Sequence, residues 1–200
     1  MERLTRTGVI LSLIEEMGRA GSWCGETHVQ KCSYFLQAML GVPMGFHFIL
    51  YKHGPFSFEL RDELTAMRAD GLLSIQIKRA SYGPSLTLGR NAHVVRRISD
   101  NVIRNYTGQI EFVARWLSTK GVAELERLGT ALFVTVEEAN LPIEAKTNRT
   151  IGGKANRTIE VRADRINQLK PHVSIDEALD AVKAVDYLYD QARELGLMDT

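Results

Sequence analysis

Cysteine is scarce in this chain, and so is net charge. Two cysteines, Cys24 and Cys32, among 200 residues are too few for a disulfide framework, which suits a reducing compartment and points to the cytoplasm. No run approaches the roughly 18 apolar residues that a membrane-spanning helix needs. The start MERLTRTGVILSLIEEMGRAG is basic and then apolar, but Glu15 and Glu16 interrupt it and its apolar residues keep helical spacing. It therefore reads as a first helix and not a signal peptide. A Gly-x-Ser-x-Gly nucleophile elbow is missing, and Gly152-Gly153-Lys154 lacks the rest of a phosphate-binding loop. No paired carboxylates stand out from the helical faces. These gaps point away from a secreted scaffold, a membrane span and an enzyme, and no cofactor is expected.

What is present is an ordinary globular composition, 44% hydrophobic and 24% charged. The formal net charge of +1 hides an asymmetry. Six basic residues (Lys78, Arg79, Arg90, Arg96, Arg97 and Arg104) lie between positions 78 and 104 against one acid, Asp100. The last 27 residues, from Ser174, carry seven acids, Asp180 and Asp186 among them, against Lys183 and Arg193. Such a split fits either a nucleic-acid footprint opposite an acidic face or a pair of solvated surfaces.

The most structured stretch is FHFILYKHGPFSFELRDELTAMRADG, Phe46 to Gly71. Phe46, Phe48 and Leu50 alternate with His47, Ile49 and Tyr51 as in a short strand, and the turn His53-Gly54-Pro55 breaks it. Ser57 is placed to cap a helix through Leu60, Leu64 and Met67 that stops at Gly71. Leu72 to Lys78 and Ser85 to Leu88 read as a hairpin around Tyr82-Gly83-Pro84, a wing following a helix. Upstream, helices are expected over Leu4 to Met17 and about Glu26 to Leu40, joined by a loop with an exposed Trp23. Downstream, helices are expected over Asp100 to Leu117, Val122 to Glu138, Ile159 to Leu169 and from the capping box Ser174-Ile175-Asp176-Glu177 to about Leu195. Asn140 to Arg157 reads as a mobile loop. The expectation is an α+β protein with a winged-helix-like core over residues 1–90 and an all-helical region over 91–200.

The residues THVQKCSYFLQ (Thr27 to Gln37), GFHFILYKHGPFSFELRDEL (Gly45 to Leu64), DGLL (Asp70 to Leu73) and LKPHVSIDEALDAVKAV (Leu169 to Val185) occur in an order that resembles the SocA-type antitoxin domain, also called the Panacea domain, and the related YwgA-like proteins. The Tyr-x-x-Gly-Pro-Phe-Ser turn is the sharpest element. The resemblance implies a winged-helix-like core with helical additions, found in toxin–antitoxin modules and beside mobile-element or phage-defence genes. It also implies a protein that neutralises a cognate toxin by binding it, in some cases presenting it to a protease.

Four sets of residues carry the functional readings. Around the tight turn at Gly54, the rings of Tyr51, His53, Pro55 and Phe56 are either interface anchors or core, and Phe58 is expected in the core. Trp23 is a further candidate anchor. Asp180 and Asp186 of the acidic last helix would meet a basic toxin surface. In the alternative reading, a DNA-binding regulator that represses its own operon, Lys78, Arg79, Arg90, Arg96 and Arg97 would touch phosphates. The helix after the Gly-Pro turn, however, carries about as many acids as bases. Cys24, His28 and Cys32, spaced i, i+4 and i+8, are three of the four ligands a structural zinc would want; the competing reading is a loop cysteine and an ordinary buried thiol. A phage or prophage accessory protein with an unrelated partner is the remaining expectation.

Overall fold

The computed structural model describes residues 1–77, 83–139 and 158–198. The chain is mixed and mostly helical, with two small antiparallel two-stranded sheets, which is the broad α+β class. In order, α1 (Arg3–Arg19), α2 (Glu26–Ala38), β1 (Ile49–Tyr51), β2 (Gly54–Phe56), α3 (Phe58–Ala69), β3 (Leu73–Gln76) and β4 (Ser85–Leu88) are followed by α4 (Ala92–Asn105), α5 (Thr107–Leu117), α6 (Val122–Ala139), α7 (Ile159–Leu169) and α8 (Ile175–Glu194). Among the described residues no helix is long and apolar enough to cross a membrane.

Local chemistry sets several boundaries. The Ser57 hydroxyl accepts the Leu60 N–H and starts α3, whose buried stripe is Leu60, Leu64 and Met67. Gly71, at φ +68°, ends it by taking the left-handed conformation that glycine tolerates. The Ser174–Glu177 capping box forms in full and opens α8. Helix α7 spans the residues its periodicity predicts.

Three sequence expectations need correction. The first helix does not end at Met17 but runs on to Arg19 before Gly21 turns. The region expected as one helix over Asp100 to Leu117 is two: α4 begins earlier, at Ala92, and breaks at Tyr106 (φ −116°, ψ 10°). The two pieces bury different sets, Ala92, Val95 and Ser99 against Ile110, Val113 and Leu117, so a straight helix could not serve both. Finally, the strand does not run from Phe46. It covers Ile49–Tyr51, and Gly54 and Pro55, expected in the turn that ends it, begin the return strand Gly54–Phe56 with Tyr51 opposite Gly54.

One buried cluster draws on the whole chain, from Val9, Leu13 and Phe35 to Leu132, Val182 and Leu188. Helix α1 packs on α4 and α5, α2 packs on α5 and α6, and β2 lies on α6. Thus the β1–β2 hairpin is held between α2, α6 and the start of α3.

Candidate functional site

Helix α2 fastens the hairpin through three polar side chains. Gln30 and Gln37 lie two turns apart, and each grips one residue of the following segment from both sides of its peptide. Gln30 Nε2 donates to Ser57 O at 2.9 Å and its Oε1 accepts the Ser57 N–H at 3.0 Å. Gln37 treats Phe46 in the same way, at 2.7 and 2.9 Å. The Phe46 peptide groups thus find partners although Phe46 belongs to no sheet. Between them Lys31, only 1% exposed, donates from Nζ to Pro55 O at 2.7 Å. Burial pushes its pKa down to about 8, with Glu126 opposing the shift and Lys170 adding to it.

From the other side, α6 and Lys170 close on the turn. Gly54 has φ +81° and is buried; a Cβ there would sit 3.1 Å from Glu126 O and 3.3 Å from Thr130 Oγ1. Gly129 lets Pro55 approach α6, since its own Cβ would come 3.1 Å from Pro55 Cδ. Lys170 Nζ donates to Tyr51 O at 2.5 Å and Lys52 O at 2.7 Å, and burial lowers its pKa. His53 Nδ1 lies 3.2 Å from Glu126 Oε1. Beside the turn is a cleft of about 140 Å³ lined by Lys52, Glu126, Arg127, Thr130, Lys170 and His172.

The hairpin fixed in this way presents rings to solvent. Tyr51 is 52% exposed, Phe58 41% and Ile49 37%, while Phe56 is half-buried. Ring centroids lie 5.9 Å apart for Tyr51 and Phe56, 5.7 Å for Tyr51 and Phe58, and 5.1 Å for Phe56 and Phe58. The Arg61 guanidinium stacks 5.1 Å above the Phe58 ring. Phe58 is therefore not core, against the sequence expectation: it is the first residue of α3, on the opposite face from Leu60, Leu64 and Met67. Of the five turn candidates, Gly54 and Pro55 are buried supports, Tyr51 and His53 are exposed, and Phe56 bridges the two.

The remaining candidates disperse. Trp23 is half-buried, its indole donating to Gly83 O at 2.9 Å, so it ties its loop to the β3–β4 connection and is not an exposed anchor. Cys24 is buried with φ +52°, and its carbonyl accepts the Leu86 N–H of β4 at 2.9 Å. His28 Nε2 meets Lys120 O at 3.1 Å, and burial lowers its pKa. Cys32 is fully buried, which raises its thiol pKa. Among the described residues no group of three or more His, Cys, Asp or Glu side chains is arranged to hold a metal ion.

Asp180 is exposed. Asp186 is instead engaged internally: its carboxylate takes both ends of the Arg162 guanidinium at 2.6 and 2.5 Å, and Arg162, 7% exposed, also reaches Thr135 Oγ1. Among the basic candidates, Arg90 and Arg97 are exposed, while Arg96 pairs with Glu15 at 2.6 Å and Arg104 pairs with Asp100. Lys78, Arg79 and the loop 140–157 lie outside the described residues.

No protein-family model matches this chain, and no curated protein matches it. The site thus rests on its own geometry. Gln30, Lys31, Gln37, Gly129 and Arg162, which hold it and its surroundings together, were not singled out in the sequence. Two glutamines seven residues apart with a lysine between them, on a helix otherwise rich in apolar side chains, were the available signal.

Proposed function

We propose that this protein is an antitoxin-like or adaptor protein that binds a partner protein, a toxin in the first instance, and covers it without catalysis of its own. The observation that carries the reading is the exposed set Ile49, Tyr51 and Phe58, with Phe56 behind it and Arg61 stacked on Phe58. Tyrosine and arginine are the residue types in which interface hot spots are enriched. A hairpin already fixed by Gln30, Lys31 and Lys170 loses little freedom on binding. The resemblance of the Tyr-x-x-Gly-Pro-Phe-Ser turn to antitoxin domains supports the same surface, and α3 followed by the β3–β4 hairpin suits a winged-helix-like scaffold reused for protein contact. The buried thiols Cys24 and Cys32 suit a cytoplasmic setting.

The test is a tagged pull-down from nuclease-treated native lysate with the wild-type chain and with Tyr51→Ala and Phe58→Ala. The wild type is expected to retain one stoichiometric small protein that is toxic when expressed alone. Each variant should weaken its capture by about 30-fold, the effect of losing a hot-spot contact near 2 kcal/mol. Capture that is indifferent to both substitutions overturns the reading.

The regulator reading keeps Arg90 and Arg97, exposed at the start of α4 and on its first turns. It is weakened by the engagement of Arg96 with Glu15 and of Arg104 with Asp100. DNA released by moderate salt from untreated lysate, with affinity lowered by Arg90→Ala and Arg97→Ala, would favour it.

A further inference from the structure

The β3–β4 hairpin has one covered edge and one open edge. Leu86 of β4 turns its N–H away from β3, to Cys24 O at 2.9 Å. Leu86 faces Ile75 across the sheet, so the two form a non-hydrogen-bonded pair, and the N–H and C=O of Ile75 point to the free side of β3. Those of Leu73, two residues earlier and opposite Leu88, point the same way. Among the described residues nothing pairs with these groups. Apolar side chains also stand exposed there: Ile75 is 42% exposed and Ile77, just past β3, 75%. Natural proteins blunt or cover such an edge, because it templates pairing with another strand.

Alongside the edge runs a groove of about 480 Å³ between α3 and β3, lined by Thr65, Arg68, Ala69, Leu73 and Ile75. Phe58, Arg61, Thr65 and Arg68 are spaced three, four and three residues apart, so one face of α3 joins this groove to the aromatic surface of the β1–β2 hairpin. Arg68 is exposed, and among the described residues no carboxylate pairs with it.

We propose that this groove binds an extended peptide segment of the partner protein by strand addition to β3. The inference rests on the partner-binding reading and specifies how the partner is held. The open N–H and C=O groups of Leu73 and Ile75 select an extended main chain. The groove and Ile75 select apolar side chains at alternate positions, and Arg68 selects an acidic residue beside them.

The test uses a displayed library of random linear peptides panned against the intact chain. Enriched peptides should alternate apolar residues and carry an acid. Ile75→Lys should abolish their binding, and Arg68→Glu should weaken it by about tenfold. Methylating alternate amides of an enriched peptide should abolish binding for the set facing β3 and spare the set facing away, a readout that leaves the protein unaltered. Because the readout is peptide binding at β3 and not capture of a whole partner protein, failure here is distinguishable from failure of the aromatic surface. The proposal is overturned by peptides indifferent to Ile75→Lys and to methylation, or by no enrichment. A concentration-dependent dimer of the chain itself, abolished by Ile75→Lys, overturns it in favour of self-pairing.

Discussion

At the scale of single residues, Lys31 is the clearest case of a side chain whose role is set by its surroundings. It is a cation at 1% exposure, with Pro55 O as its acceptor and a pKa lowered to about 8 by burial. In the unfolded chain a lysine titrates near 10.4. Between these values the unfolded state binds more protons than the folded one, so this residue disfavours folding at and below about pH 8, and that penalty lifts as pH rises toward about 10.4. Wild-type stability, measured by urea unfolding at several pH values, should therefore carry a rising component over that window which Lys31→Met removes. An unchanged slope in the variant would show that Lys31 does not titrate in this way.

At the scale of elements, the hairpin and the helix after it depend on α2 more than on their own pairing. A three-residue ladder between β1 and β2 is too short to stand alone. Gln30 supplies the acceptor for the buried Ser57 N–H and a second donor to its C=O, which also takes the Arg61 N–H at 3.1 Å, while the Ser57 hydroxyl separately caps α3. Ser57→Ala should cost about 1 kcal/mol, the usual effect of losing a cap. Gln30→Leu should cost more, about 2 kcal/mol, since it strands the buried Ser57 N–H and leaves its C=O with the Arg61 N–H alone. Chemical denaturation of the two variants tests the order; a Gln30→Leu effect at or below that of Ser57→Ala would mean that water or a backbone shift satisfies Ser57.

At the scale of the whole molecule, a largely buried ion pair is among the links that join the C-terminal helices. Arg162 on α7 reaches Asp186 on α8 and Thr135 on α6. Asp186→Ala leaves a guanidinium of 8% side-chain exposure without its counter-charge and should cost about 3 kcal/mol. Arg162→Met combined with Asp186→Leu should cost less than the single change, because no charge is then left buried. Denaturation midpoints of the single and double variants check this. It also follows that charge reversal at Asp186 tests folding, whereas reversal at the exposed Asp180 tests the acidic face of α8 for partner contact.

The sequence by itself determined the helices whose ends and faces are local matters. Ser57 and Gly71 bound α3, Ser174 and Glu177 open α8, and the spacing of Ile159 to Leu169 marks α7. A cap needs only neighbours three residues away, and a periodic stripe needs only its own helix. It also determined that the segment around Gly54-Pro55 is special, though not which of its residues would face out. Tertiary structure decided that Gly54 and Pro55 are buried supports while Phe58 is exposed, that Trp23 is tied to Gly83, and that Asp186 belongs to Arg162. The contacts that place Trp23, Pro55 and Asp186 each join residues 24 or more positions apart. A ring or a carboxylate has no intrinsic preference strong enough to fix its place before the long-range packing is formed.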